Sequence, residues 1–190
     1  MRHSKYLVLL ILLCFPFLFA GQNYYKCGGG FTNNCNTISQ SYTGTGQVTE
    51  FGYLGAGKYY IATKFTVASP YSLCKFEFMV YKDGAPSMNV TAELWSDNAG
   101  TPGTLLATGE TKNASTFPAA TGTYTSFTLN YSLSATTYWL VLHAASLYSG
   151  GGVMVTTGTD GSGGKTMLGT STPTWAETGA SRQGTHRIYK

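Results

Sequence analysis

Catalysis needs ionisable or nucleophilic side chains within reach of one another, and this sequence holds few. It has eight carboxylates, Glu50, Glu77, Asp83, Glu93, Asp97, Glu110, Asp160 and Glu177, and two histidines beyond its first residues, His143 and His186. A glycosidase needs two carboxylates about 5–10 Å apart. Glu77 and Glu93 fall on neighbouring predicted strands and are the pair whose approach can be foreseen, although a solvated sheet face is the plainer reading. Either histidine could serve as a base, but neither sits in a nucleophile motif. The expectation is a non-enzymatic chain with no catalytic residue.

Oxygen ligands at Asp97-Asn98 and at Asp160-Gly161-Ser162 suit a hard cation in type. They are equally ordinary turn residues, and neither follows the EF-hand pattern. No cysteine pair has zinc-knuckle spacing. Neither a metal site nor a cofactor is expected.

The cysteines are Cys14, Cys27, Cys35 and Cys74. Cys27 and Cys35 flank a flexible Gly/Asn stretch, so a short disulfide loop between them is sterically easy. Cys74 alternates with Phe76, Phe78 and Val80 on the apolar face of a strand. A buried free thiol is the expectation there, and a bridge from Cys74 to the N-terminal arm is the alternative.

Binding chemistry has more material. Aromatic residues make up 14% of the chain. Trp95, Trp175 and Tyr148 are the candidates for stacking on glycans, whereas Trp139 belongs to the core by its strand. Core filling is the competing use for any aromatic in a β-protein. Asn89-Val90-Thr91, Asn113-Ala114-Ser115 and Asn130-Tyr131-Ser132 fit the N-glycosylation triplet and make Asn89, Asn113 and Asn130 modification candidates.

The elements that must position these residues follow from composition and pattern. The chain has 190 residues, of which only 11% are charged, against about 25% in ordinary soluble proteins. Helical surfaces are commonly lined with Lys and Glu, so a helical bundle is excluded. Disorder is excluded by the aromatics. A formal charge of +4, spread along the chain, is not a nucleic-acid patch.

Residues 1–20 read as a secretory signal peptide. Arg2, His3 and Lys5 precede an apolar run from Tyr6 to Phe19, and Leu18 and Ala20 stand before a cleavage point at Gly21. No later stretch is long and apolar enough to span a membrane as a helix. The expected location is extracellular, secreted or at the cell surface. Residues 21–48 are polar and turn-rich, and read as an N-terminal arm, a linker or a weak first strand.

From Lys58 onward the pattern is period two. Strands are predicted at 59–67, 74–81, 89–95, 104–108, 124–129, 137–143, 153–157 and 187–189, with a loop over 96–103 and a turn over 161–164. The 137–143 run is the most apolar and should be central. Short strands separated by turns every 8–12 residues predict an all-β fold. We expect an antiparallel β-sandwich of about seven to nine strands over 49–190.

Several of these stretches are similar to the secreted β-sandwich module of bacterial "choice-of-anchor" surface proteins. They are Lys64–Val67, Val90–Trp95 followed by Ser96–Leu106, Leu133–Leu142, and Trp175 with the closing Thr185–Tyr189. Together they span roughly residues 58–190. The resemblance implies a jelly-roll sandwich without catalytic residues, and the order of the stretches carries it more than any one of them.

Two functions follow as expectations. The first is a structural or adhesive extracellular protein whose copies self-associate into a surface assembly or filament through the arm, in the manner of donor-strand exchange. The second is a carbohydrate-binding module for cell-surface or environmental polysaccharide, which requires exposed, coplanar aromatics.

Overall fold

The computed structural model describes residues 35–44, 46–159, 165–178 and 182–190. All belong to one compact unit, Asn33–Lys190. The leader, most of the arm, Cys27 and the 161–164 turn lie outside the described residues.

The chain folds into two antiparallel sheets packed as a β-sandwich. In chain order the strands are β1 (Ile38–Tyr42), β2 (Gln47–Phe51), β3 (Tyr60–Thr66), β4 (Tyr71–Lys82), β5 (Asn89–Asn98), β6 (Thr101–Asn113) and β7 (Tyr124–Leu133). They continue as β8 (Thr137–Ala144), β9 (Val153–Thr159), β10 (Thr166–Gly169), β11 (Trp175–Glu177), β12 (Arg182–Gly184) and β13 (His186–Tyr189). One sheet runs β1-β13-β4-β9-β12, with β2 added on β9 and β7 on β4. The other runs β11-β10-β3-β8-β5-β6.

Alternation explains which side chains meet between the sheets, because successive residues of a strand face opposite sides. Phe76, Phe78 and Val80 of β4 point inward, as do Leu140 and Leu142 of β8, and all five are buried. β8 is paired on both sides, to β3 and to β5, so it is central as expected. Phe76 stacks on Phe127 of β7, with ring centroids 5.8 Å apart.

The two open sides of the sandwich are laced by side chains that reach backbone groups. On one side the Gln183 amide donates to the Lys64 carbonyl at 3.0 Å, and the Gly184 N–H donates to the Thr63 hydroxyl at 3.2 Å. The Gln40 amide donates to the Thr66 carbonyl. On the other side the Thr128 N–H, on edge strand β7, donates to the Glu110 carboxylate of β6 at 3.0 Å. An occupied edge amide is no longer open to a foreign strand.

Three expectations need correction. First, the arm does not extend to residue 48. β1 pairs with β13 and β2 pairs with β9, so residues from Ile38 on are strands of the chain's own sheet. Second, the predicted loop 96–103 is a tight hairpin. β5 continues to Asn98 and β6 begins at Thr101, with Ala99 and Gly100 as the turn. Both turn residues have positive φ, 50° and 87°, the geometry of a two-residue hairpin whose twist matches its strands. Third, Glu77 and Glu93 are not on neighbouring strands. β4 and β5 follow one another in sequence but lie in different sheets.

Candidate functional site

All three tryptophans gather on the outer face of the β11-β10-β3-β8-β5-β6 sheet. Trp95 and Trp139 are direct cross-strand partners on β5 and β8, and Trp175 comes from edge strand β11. Tyr60 completes the group from β3. Ala62 and Val141 lie on the same face and leave room above them for rings. Trp175 lies over Gly169, where a Cβ would meet its ring at 3.1 Å.

The rings meet edge to face. Trp95 and Trp175 have centroids 5.7 Å apart at 82°, and Tyr60 meets Trp175 at 61° and Trp95 at 74°. Trp139 is fully buried and Trp95 is 9% exposed, while Trp175 is half-buried. Edge-to-face packing is the arrangement that ring quadrupoles favour in a core. It is not the coplanar platform that stacking on a sugar requires, so the aromatic face of this sheet is a second, smaller core.

Two carboxylates hold its polar edges. The Trp95 indole N–H donates to Glu93 at 2.8 Å, and the Trp139 indole N–H donates to Asp97 at 2.8 Å. His143 Nδ1 lies 3.0 Å from the other Glu93 oxygen. Because an ionised carboxylate only accepts, Nδ1 is the donor in this contact. The imidazole stacks face to face on Tyr60 at 4.1 Å. Burial, and after it the Glu93 charge, push the Tyr60 phenol above the usual tyrosine range.

Glu93 is only 6% exposed, which corrects the expectation of a solvated sheet face. A buried carboxylate is tolerable only when its oxygens are hydrogen-bonded, and here both are. Chemically, Glu93 and His143 form an oriented acid–base pair whose fixed partners are aromatic rings. Both Asp97 oxygens are hydrogen-bonded as well: the second accepts the Gly100 N–H at 3.1 Å and closes the β5–β6 turn. The second oxygen-ligand candidate, Asp160-Gly161-Ser162, lies outside the described residues.

No protein-family model matches the chain, and no curated protein matches it.

The remaining candidates are dispersed. Tyr148 is not grouped with the tryptophans: it bridges to Tyr53 and packs against the main core. His186 is buried between the sheets, with Nδ1 at 2.7 Å from the Gly184 carbonyl. Among the sequons, the Asn113 amide donates to the Ser87 carbonyl at 2.7 Å and its oxygen caps the short 3-10 turn at Ser115. Asn89 is exposed but accepts from Asn113 at 3.3 Å. Asn130 is exposed on β7.

The cysteines pair differently from the short loop. Cys35 is bonded to Cys74, 39 residues away. Cys74 is therefore not a free thiol, and Cys35 is not available to Cys27. The register explains this. β1 is laid beside β13, and β13 beside β4, so the chain just before β1 arrives where Cys74 stands on β4.

A different polar network covers the outer face of the other sheet. Glu77 accepts from the Tyr189 hydroxyl at 2.7 Å and stands 3.7 Å from both Lys75 and Arg187. Arg187 lies over the Tyr124 ring at 3.8 Å. Beside this network is a cavity of about 380 Å³ lined by Gly46, Gln47, Val48, Met79, Thr121, Gly122 and Thr156. None of these side chains is charged. Sequence reading missed the cavity, because its walls come from four distant segments.

Proposed function

We propose that this chain is an exported, non-enzymatic structural or adhesive protein whose copies associate through the N-terminal arm. The observation that carries this reading is the Cys35–Cys74 bond. With Cys14 in the expected leader, that bond uses two of the three remaining cysteines and leaves Cys27 odd. An odd cysteine in an exported protein is suited to a bond between copies. The bond also fastens the base of the arm to β4, so strain on residues 21–34 is passed into the sandwich rather than peeling β1 away. The resemblance to surface-protein modules agrees with this reading.

Ile38–Tyr42 and Gln47–Phe51 pair within the chain's own sheet, so we assign the association to residues 21–34 of the arm. The carbohydrate-binding alternative has less support, since its platform is closed by edge-to-face packing. Among the described residues no helix is long and apolar enough to cross a membrane.

Non-reducing electrophoresis of the exported protein tests the reading. A disulfide-linked dimer is expected and should vanish in Cys27→Ser. A wild-type chain that runs wholly as monomer, with one free thiol, would count against it.

A further inference from the structure

We infer that the Cys35–Cys74 bond is an exchange site for thiols, that an incoming thiol is taken up on Cys35 and not on Cys74, and that the opening is local. The inference concerns a single chain and stands whether or not copies associate.

The two sulfurs differ in access. Cys74 is 5% exposed and stands on β4 in step with the inward-facing Phe76 and Phe78. Cys35 is only half-buried and lies in the turn ahead of β1, outside any strand. A thiolate attacks a disulfide along the S–S axis, from the far side of the sulfur it strikes, so access decides which sulfur reacts. Approach to Cys74 is blocked by the packed strand, whereas approach to Cys35 is from the turn.

The sulfur that leaves already has an acceptor. Cys74 Sγ stands 3.4 Å from the Tyr189 carbonyl oxygen, and a thiol is a weak hydrogen-bond donor. The step balances without an oxidant. The incoming thiolate forms a bond to Cys35 Sγ, the Cys35–Cys74 bond breaks, and its electron pair leaves on Cys74 Sγ. That sulfur takes a proton from water and, as a thiol, donates to the Tyr189 carbonyl. A second thiol then displaces Cys35 from the mixed disulfide, so the protein bond is reduced by two electrons and the two thiols become one disulfide.

The rest of the strand entry does not depend on the bond. β1 keeps its pairing with β13 from Ile38 to Tyr42, and the Lys190 N–H donates to the Thr37 carbonyl at 3.0 Å. The Gln40 amide still reaches the Thr66 carbonyl. What is lost is the covalent tie from residues 35–37 to β4. An edge strand held by hydrogen bonds, with Ile38 exposed, opens more readily than the core strands. Thiols in the surroundings therefore set how firmly the N-terminal arm is fastened to the sandwich.

The test uses the exported protein carrying Cys27→Ser, so that Cys35 and Cys74 are the reacting pair, with reduced glutathione as the thiol. Brief treatment of the folded protein, an acid quench and a tryptic map locate the mixed disulfide. Glutathione should be found on peptide 27–58 rather than on peptide 65–75 by about tenfold or more, because access selects the sulfur. Hydrogen exchange of the trapped form should rise over residues 36–42 and stay unchanged over 74–80. Glutathione mainly on peptide 65–75, or shared equally, would overturn the inference. So would a bond that opens only when urea unfolds the chain, or exchange that rises through β4 as well.

Discussion

Cys35 and Cys74 are joined across 39 residues, and the bond ties the segment ahead of β1 to the start of β4. Closing a loop of that length removes freedom from the unfolded chain, worth about 2–4 kcal/mol in the chain-entropy account. Cys35→Ser should therefore lower the unfolding free energy by about that much, while Cys27→Ser should leave it unchanged in urea titration. A tryptic map without reductant should join peptide 65–75 to peptide 27–58. Peptide 65–75 recovered with a free thiol would mean the pairing is wrong.

The β5–β6 hairpin carries a strained residue. Ala99 has φ of 50°, a region costing an ordinary L-residue roughly 1–2 kcal/mol. Asn and Gly are the residues that two-residue turns of this kind favour. Ala99→Gly or Ala99→Asn should raise stability by about 0.5–1 kcal/mol, read as an upward shift of the urea midpoint at constant slope. A drop in the midpoint would mean that the turn has another geometry in solution.

The second core is held by Glu93 and covered by Trp175. Glu93→Leu removes the acceptor of the buried Trp95 indole N–H and of the part-buried His143 imidazole, and leaving the buried donor unpaired costs about 1–3 kcal/mol. Trp175→Ala removes edge-to-face contacts to Tyr60 and Trp95, for a loss of about 1–3 kcal/mol. It should also open Trp95 to solvent, so acrylamide quenching of the remaining tryptophan fluorescence should rise. Unchanged quenching and stability would mean that Trp175 does not cover this face. Polysaccharides added to the wild type should give no change in tryptophan fluorescence.

Two carboxylates should respond to acid in opposite senses. The hydrogen bond from Lys112, helped by the Thr128 N–H, holds Glu110 below the usual carboxylate range. Its contribution is present at neutral pH and is lost as pH falls through that lowered value. Burial, and then the Asp83 charge, push Glu50 above the range. Its charged form weakens the fold at neutral pH, and protonation relieves this as pH falls through the raised value. Glu110→Gln should lower neutral stability only slightly, about 0.2–0.5 kcal/mol, because solvent screens the pair. Glu50→Gln should raise neutral stability, with the gain fading in acid. Urea titrations across the acid range check both signs.

Much of the sandwich was legible in the sequence. Strands β3, β4, β5, β7, β8 and β9 alternate buried and exposed positions, or carry a continuous apolar run, and that pattern is strong. β1 and β2 were not legible, because they are short edge strands held by backbone pairing more than by burial. Ile38 and Val48 are exposed, at 48% and 44%, and the one large buried residue of β2, Phe51, stands at its end, two positions after buried Thr49, too short a pattern to mark a strand by its apolar residues. The hairpin was hidden because Asp97, Asn98, Gly100 and Pro102 also spell a loop. Pro102 is tolerated in β6 because that strand is an edge. Glu93 looked solvated because the groups around it include His143 of β8 and Tyr60 of β3, which come from distant strands and leave no local signal. The Cys35–Cys74 bond depends on the β1–β13–β4 order, which spacing alone does not contain.

The central claim is that copies associate through residues 21–34. Electron microscopy and sedimentation of the exported protein, full length and lacking residues 21–34, test it most directly. Filaments or large particles from the full chain, and dispersed monomers from the shortened one, are the predicted result. Equal assembly by both chains, or a dispersed monomer from the full chain, would contradict it.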